Sequence, residues 1–98
     1  MTERQEDYDV KLEVYVVRCA DNSLYTGWSN DVPARIARHN AGKGSKYCRS
    51  RLPVKLVYRE TCASFSTAAM REHVVKQLSK AQKEDLVARY AKREAHTA

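Results

Sequence analysis

The sequence predicts an α+β fold, an α/β sandwich in which a three-stranded, mainly antiparallel sheet is flanked by helices in the order β-β-α-β-α-α. Three observations predict this fold. Two apolar segments near the start of the chain are separated by a short turn cluster, as in a β-hairpin. A third strand-like segment lies near the middle of the chain. Helix-capping residues open one periodic stretch before that segment and two after it.

The hairpin is the first predicted unit. A strand is expected from Leu12 to Cys19, and both of its faces are largely apolar because side chains alternate along a strand. Two apolar faces indicate a central strand. Residues 20–23 form a turn cluster, and the returning strand runs from Leu24 to Trp28. The two faces of the first strand would carry Leu12, Val14 and Val16 on one side and Tyr15, Val17 and Cys19 on the other.

The middle of the chain predicts a helix, a loop and a third strand. Asn30 or Asp31 can cap the helix, which has Pro33 in its first turn and ends near Ala41. Residues 42–53 are rich in Gly, Ser and basic side chains and predict a loop. The third strand is expected from Val54 to Thr61. The predicted alternation places Val54, Leu56 and Tyr58 on one face of this strand and Lys55, Val57 and Arg59 on the other.

Two helices are predicted after the third strand. Ser64 or Ser66 opens the first, which ends near Leu78. Ser79 with Gln82 three residues later makes a capping box for the second, whose apolar face would hold Leu86, Val87 and Tyr90. At 98 residues the chain is expected to form one domain. We assign residues 12–91 to that domain, 1–11 to an N-terminal tail and 92–98 to a C-terminal tail.

Composition limits the classes of function. No segment approaches the apolar length needed to span a bilayer, and no signal-peptide pattern occurs, so the sequence predicts a cytoplasmic protein with no membrane partner. Cys19, Cys48 and Cys62 are odd in number and widely spaced, which favours isolated reduced thiols over a zinc site or a redox pair.

Charge is distributed unevenly. The net charge is +6, and the segment from Arg35 to Arg59 contains eight basic residues and no Asp or Glu. This pattern indicates a surface for a polyanion such as nucleic acid, with a solvated basic face kept for solubility as the alternative. The basic residues of this segment are Arg35, Arg38, Lys43, Lys46, Arg49, Arg51, Lys55 and Arg59.

Five side chains are candidates for chemistry. Arg35 and His39 share one face of the first helix, where Arg can hold phosphate and His can exchange a proton, although a solvent-facing basic side is the simpler reading. Glu72 falls on the packing face of its helix, which favours either a divalent metal or an ordinary ion pair with Lys76. Tyr15 and Tyr25, taken singly, are each more often core residues than catalysts.

The motifs together resemble the GIY-YIG endonuclease superfamily, and in particular its short stand-alone bacterial members. The resemblance runs from about Val14 to Tyr90. It rests on Val14-Tyr15-Val16, Tyr25-Thr26-Gly27, Arg35-Ile36-Ala37-Arg38-His39-Asn40, Gly42-Lys43-Gly44-Ser45-Lys46-Tyr47, Pro53-Val54-Lys55-Leu56-Val57-Tyr58, and Glu72 with Lys76. This set of elements in this order is far more specific than either tyrosine tripeptide.

The resemblance implies a DNA endonuclease that hydrolyses phosphodiesters with one divalent metal, Mg²⁺ or Mn²⁺. Tyr25 would activate the attacking water, Tyr15 would hold the water or Tyr25 in place, and His39 would help relay a proton. Arg35 would stabilise charge on the phosphate, and Glu72 would hold the metal. The implied contacts with DNA are Arg38, Asn40, Lys43, Lys46, Tyr47, Arg49, Arg51 and Lys76.

This mechanism carries a geometric prediction. A two-residue hairpin loop would put Tyr15 and Tyr25 on opposite faces of the sheet, whereas a loop of three or five residues would put them on one face. We expect both hydroxyls on one face, within reach of Arg35 and Glu72.

Substrate form is the last expectation. The chain has no room for an added recognition domain, so we expect selection by DNA form, with single-stranded or branched DNA favoured and Tyr47 stacking a base. A role in DNA repair or recombination would follow. A non-catalytic nucleic-acid-binding module and a partner-dependent nuclease subunit are the alternatives, and the oligomeric state is left open.

Overall fold

The sheet has three antiparallel strands. A computed structural model describes residues 11–97, so all but the last residue of the predicted N-terminal tail lies outside the described residues. The strands are β1 (Leu12–Arg18), β2 (Leu24–Ser29) and β3 (Lys55–Cys62), and their order in the sheet is β2-β1-β3. The central position of β1 agrees with its two apolar faces, and the predicted α+β fold is confirmed.

Within residues 11–97, four helices accompany the sheet: α1 (Val32–Asn40), α2 (Lys46–Arg49), α3 (Phe65–Gln77) and α4 (Lys80–Thr97). The short α2 corrects the predicted loop over residues 42–53. It forms because the Ser45 hydroxyl accepts the Cys48 backbone N–H at 3.1 Å, and Cys48 is buried beneath it. Helix α4 is also longer than expected, since it continues through residues 92–97, which were assigned to a C-terminal tail.

The helix starts follow the predicted capping chemistry. Asp31 caps α1 by accepting the Ala34 N–H at 3.1 Å, and Ser64 caps α3 by accepting the Thr67 N–H at 3.1 Å. The capping box of α4 is complete. The Gln82 N–H donates to the Ser79 hydroxyl at 3.1 Å, and the Ser79 N–H donates to the Gln82 amide oxygen at 2.9 Å.

Different helices cover the two faces of the sheet. On one face, Tyr15, Val17 and Cys19 pack with α1 and α2 through Val32 and Cys48. On the other face, α3 and α4 cover Val14 and Val16, which pack with Ala68, Val75 and Val87. The result is a three-layer sandwich, and the predicted alternation of β1 is confirmed.

The alternation predicted for β3 is wrong at one point. Val16 pairs with Tyr58 whereas Val17 pairs with Leu56, so Val57 is an extra residue in the ladder, a β-bulge. Leu56 consequently packs on the α1 face, while Val57 and Tyr58 both pack on the α3–α4 face. The strand also starts and ends one residue later than expected.

The hairpin geometry is as predicted. Tyr15 pairs with Gly27 and Val17 with Tyr25, and the five residues 19–23 connect the last ladder pair. Paired residues point to the same side of a sheet, so Tyr15 and Tyr25 lie on the α1 face together. Within the turn, the Cys19 N–H donates to the Ser23 carbonyl at 2.8 Å. None of the helices in the described part of the chain is both long and apolar enough to cross a membrane.

Candidate active site

Tyr15 lies directly over Gly27. The tyrosine is 1% exposed, and a β-carbon built on Gly27 would approach the Tyr15 hydroxyl oxygen to 2.6 Å and the ring carbon that bears it to 2.8 Å. These atoms belong to a buried ring that cannot swing away. The motif Tyr25-Thr26-Gly27 therefore ends in glycine because the Tyr15 ring of the first motif occupies the space that a side chain at position 27 would need. This close approach explains a glycine inside a strand.

His39 is the polar partner of Tyr15. The Tyr15 hydroxyl oxygen lies 2.8 Å from His39 Nε2, and His39 is only 2% exposed. The helix side that carries Arg35 and His39 is therefore not a solvent-facing basic surface, which was the simpler reading of the sequence. A buried polar ring needs hydrogen-bond partners, and Tyr15 supplies one of them.

The second ring nitrogen of His39 faces the loop between α1 and α2. The Ser45 backbone N–H points at Nδ1 at 3.4 Å, and a β-carbon on Gly44 would approach Nδ1 to 2.1 Å. An N–H aimed at Nδ1 makes that nitrogen an acceptor, so the proton of the neutral ring belongs on Nε2. Nε2–H then donates to Tyr15, which leaves the tyrosine proton free for another acceptor.

Burial shifts the protonation of both groups. Burial, and then the nearby Arg35 cation, lowers the pKa of His39 below its usual value. Burial, and then the neighbouring Tyr25, raises the pKa of Tyr15 to about 12, although the adjacent Arg35 charge opposes that rise. At neutral pH, His39 is therefore uncharged and Tyr15 keeps its proton.

Tyr25 lies beside the same histidine. Its ring meets the His39 ring edge-on, with centroids 5.6 Å apart and planes at 72°. On the other side it stacks on Tyr47, with centroids 6.0 Å apart and planes at 20°. The Arg51 guanidinium lies 3.8 Å from the Tyr47 ring centroid and bonds to Asp21 at 3.0 Å and to the Tyr47 carbonyl at 2.8 Å. Tyr47 is thus held as a support for Tyr25.

The cluster opens onto a basic hollow of about 340 Å³. Tyr25 and His39 line it together with Arg35, Arg38 and Lys43. None of its lining residues is acidic. Within residues 11–97, Arg38 and Lys43 have no carboxylate partner, so their charges are available to an anionic ligand. The hollow has the charge and the donors that a phosphodiester requires.

Glu72 stands apart from this cluster. It lies on α3, which covers the opposite face of the sheet, and the described residues give its carboxylate one partner, Lys76, at 3.3 Å. Helix α3 packs on the face of the sheet opposite α1, and the reach of Glu72 to the tyrosines and Arg35 stays a prediction. The ion pair that the sequence allowed as the alternative is formed. Glu72 is half-buried on the side of α3 that carries Ala68 and Val75.

A second hollow connects the two regions at the open edge of β2. Lys76, one turn beyond Glu72, lines a cavity of about 250 Å³ with Tyr25, Thr26, Tyr47 and Lys83. Tyr25 therefore lies between a hollow on the α1 side and a hollow on the α3 side. Lys76 therefore links the helix that carries Glu72 to the hollow beside Tyr25.

The donor set suits one weakly held divalent cation. Residues 11–97 contain no group of three or more His, Cys, Asp or Glu side chains placed to bind a metal. Glu72 has an exposed i,i+4 lysine as its partner, an interaction of about 0.5 kcal/mol that a divalent cation can replace. Mg²⁺ commonly binds through one carboxylate, waters and substrate phosphate oxygens. The residues present fit that mode of binding.

The other predicted DNA contacts fall into two groups. Lys46 and Arg49 are exposed on α2 and, in the described part of the chain, make no ion pair. Asn40 and Arg51 are engaged within the fold. Asn40 donates to the Val54 carbonyl at 3.0 Å and accepts the Val54 N–H at 2.7 Å, so both ends of its amide are occupied.

Sequence reasoning missed the structural role of Gly44 and Ser45. The stretch that contains them was recognised only as part of the resemblance. Two glycines between basic residues were the available signal, since a glycine outside a turn often marks a close approach of backbone to another group. Lys83 was also missed, because nothing local in α4 distinguishes it from the other lysines of that helix.

Comparison with known proteins adds independent findings. A family model described as the GIY-YIG catalytic domain matches residues 11–85. A UPF0213 protein of Staphylococcus haemolyticus is 57% identical over 70 residues, which cover 71% of this chain and 85% of the relative. A UPF0213 protein of Natronomonas pharaonis is 55% identical over 75 residues, which cover 76% and 88% of the two chains.

A solved structure is also similar. The solution NMR structure of a UPF0213 protein from Bacillus halodurans matches with a TM-score of 0.52 and 44% sequence identity, covering 80% of this chain and 83% of that one. The fold and the order of the motifs are therefore shared with small stand-alone proteins of similar length.

Proposed function

The chain belongs to the GIY-YIG catalytic domain family, a nuclease family, and from this premise we propose that it is a metal-dependent DNA endonuclease. One observation carries the proposal. The buried Tyr15–His39 pair and the adjacent Tyr25 open onto a hollow lined by cations and free of carboxylates. A phosphodiester in that hollow meets hydrogen-bond donors and proton-exchanging groups at the same place.

The proposed division of labour follows from protonation and position. Tyr25 lines the hollow and is the side chain placed to bind and activate the attacking water. Tyr15, whose pKa is raised to about 12, stays protonated and orients Tyr25 or the water through its hydroxyl. His39 is neutral near pH 7, fixes Tyr15 through Nε2 and takes part in proton relay. Arg35 neutralises charge that develops on the phosphate.

Glu72 is the residue proposed to hold Mg²⁺ or Mn²⁺ on the leaving-group side. When bound, the metal supplies charge stabilisation for the departing oxygen. Because Lys76, one turn beyond Glu72, lines the hollow at the β2 edge with Tyr25, a scissile strand that crosses this edge would run from the α1 hollow towards the helix that carries Glu72. The Glu72–Lys76 ion pair has to open for the cation to bind.

We propose single-stranded or branched DNA as the substrate. The cationic side chains line shallow hollows, and Lys46 and Arg49 extend the basic surface along α2. A base-stacking role for Tyr47 is not part of the proposal, because Arg51 covers the ring and Tyr25 stacks on it. Cytoplasmic location and a part in DNA repair or recombination remain predictions.

A cleavage assay with matched variants tests the proposal. Labelled single-stranded, branched and duplex DNA is incubated with Mg²⁺ or Mn²⁺ and with wild-type protein, Arg35→Ala or Glu72→Ala. Loss of cleavage in both variants, with wild-type circular dichroism, supports the enzyme. Glu94→Ala, which removes a carboxylate from α4, is the control and should cleave normally. Full activity in Glu72→Ala would contradict the metal assignment.

A non-catalytic nucleic-acid-binding module is the second candidate. The ion pair between Glu72 and Lys76 favours it, because it occupies the carboxylate that would hold the metal. Salt-sensitive binding without cleavage of any substrate would support this candidate. Cleavage that requires an added protein partner would instead identify the chain as a nuclease subunit.

A further inference from the structure

Lys83 has no carboxylate partner within residues 11–97, since Asp21, which lines a neighbouring hollow with it, pairs with Arg51. Lys83 is half-buried on α4 and lines the 250 Å³ hollow at the β2 edge with Tyr25, Thr26 and Lys76. Its neighbours on the helix are paired, since Lys80 bonds to Glu84 at 2.8 Å and Arg89 to Asp85 at 2.9 Å. Within residues 11–97 the Lys83 ammonium group makes no hydrogen bond and no ion pair, whereas the backbone N–H of Lys83 donates to the Ser79 carbonyl at 2.9 Å.

The position of Lys83 is fixed by contacts outside the proposed catalytic cluster. The Glu84 carboxylate accepts hydrogen bonds from both terminal guanidinium nitrogens of Arg18, at 2.8 and 2.7 Å. The Lys80 ammonium group donates to the Asn22 carbonyl at 2.7 Å. These bonds hold the first turn of α4 against the hairpin. Lys83 is in that turn, so the ammonium group is carried to the β2 edge by a rigid attachment.

Tyr25 is consequently flanked by two cationic hollows. The one on the α1 side has Arg35, Arg38 and Lys43, and the one on the α3–α4 side has Lys76 and Lys83. Among residues 11–97, no carboxylate lines either hollow. A polyanionic strand that enters the first hollow and crosses Tyr25 arrives next at the second. A single strand can present successive phosphates to cations placed one after another along its path.

We propose that Lys83 and the hollow it lines form a phosphate-binding site for the part of a single nucleic-acid strand that extends beyond Tyr25 over the edge of β2. The inference rests on the proposed function in one respect, since it takes the ligand to be nucleic acid. It goes beyond that function because it assigns α4 a role in binding and gives the strand a path. Lys83 binds the strand and takes no part in bond cleavage.

The experiment measures binding without cleavage. A fluorescent single-stranded 20-mer is titrated with wild-type protein, Lys83→Gln or Lys92→Gln in the presence of a chelator, at several salt concentrations. Lys92 is nine residues along α4 and so lies on the opposite side of the helix, exposed. The two variants lose the same charge and differ only in its place. Thermal unfolding confirms that both are folded.

The expected result is specific to Lys83. Loss of one phosphate contact to a single strand lowers the slope of log affinity against log salt by about 0.7, which is about fivefold weaker binding at 0.1 M salt. Lys83→Gln should show this change and Lys92→Gln should not. In a cleavage assay, Lys83→Gln should raise KM and leave kcat unchanged.

Two outcomes would overturn the inference. One is a wild-type salt slope in Lys83→Gln, and the other is an equal loss in both variants, which would indicate only a general charge effect. Failure of the proposed function gives a different pattern. If the protein binds DNA through Lys83 but never cleaves it, the Lys83 site is supported and the nuclease function is not. If it cleaves DNA and Lys83→Gln keeps the wild-type salt slope, the nuclease function is supported and the Lys83 site is not.

Discussion

The hydroxyl oxygen of Tyr15 lies 2.8 Å from Nε2 of His39, and both side chains are almost completely buried. This bond joins the central strand to the first helix. It also joins two buried positions at which a purely structural core would have apolar side chains. A buried polar pair beside a basic hollow is a common arrangement at functional sites.

Tyr15→Phe should cost both stability and cleavage. Removing the hydroxyl leaves the buried His39 Nε2–H without a partner, which costs about 1–3 kcal/mol of unfolding free energy. The loss of an orienting group should also lower kcat by about 10²-fold. Tyr58→Phe is the matched control, because Tyr58 is buried on the other face and donates to Glu60. It should lose stability and keep wild-type kcat.

Gly44→Ala should damage the site more than the fold. The new β-carbon would approach His39 Nδ1 to 2.1 Å, so either the ring or the 42–45 loop must move. We expect cleavage to fall at least tenfold. Gly42→Ala serves as comparison, since φ at Gly42 is +80° and no atom lies within 4 Å of its added β-carbon. That variant should lose about 1 kcal/mol from backbone strain and remain active.

His39 should make stability depend on pH. Its folded-state pKa is lowered, so between that value and the ordinary pKa near 6.5 the unfolded chain binds more protons than the folded one. The stabilising contribution is therefore complete above about pH 6.5 and declines as the pH falls below it. Urea unfolding of the wild type and of His39→Gln from pH 8 to pH 5 measures this. A pH dependence that is identical in the two proteins would contradict the assignment.

Glu84→Gln should loosen α4 from the hairpin. Hydrogen bonds from Arg18, and then from Lys80, lower the pKa of Glu84 to about 2. A carboxylate with a lowered pKa stabilises the fold above its unfolded value near 4.5, and this contribution is lost as the pH falls towards 2. The pair is partly exposed, so we expect a loss of about 1 kcal/mol or less at pH 7. Chemical unfolding at pH 7 and at pH 2.5 should show a smaller difference between wild type and variant at the lower pH.

The fold could be predicted to the extent that it depends on local pattern. Alternation from Leu12 to Cys19 identified both faces of β1, and the capping box at Ser79 located the start of α4. The four-residue α2 was missed because one capping serine is too weak a signal in a basic, glycine-rich stretch. The bulge at Val57 was missed because a bulge leaves no mark on a run of apolar residues.

The site was predictable in composition and only partly in arrangement. Tyr15, Tyr25, Arg35 and His39 meet because the hairpin register and one turn of α1 are local geometry. Glu72 was correctly expected on the packing face of its helix. The connection after β3 decides which face of the sheet that helix covers. The spacing of apolar residues along the helix carries no information about this choice.

The five residues that connect β1 to β2 impose a rule on how this segment can change in length. Unless a longer or shorter turn absorbs the change, adding or removing one residue there would shift the pairing of β2 by one position and turn Tyr25 towards α3 and α4, exchanging it for a neighbour on the strand. Adding or removing two would return every side chain to its own face. Families of related chains, and libraries built on this one, should therefore vary the turn by even numbers of residues, because an odd change separates the two tyrosines without altering either of them.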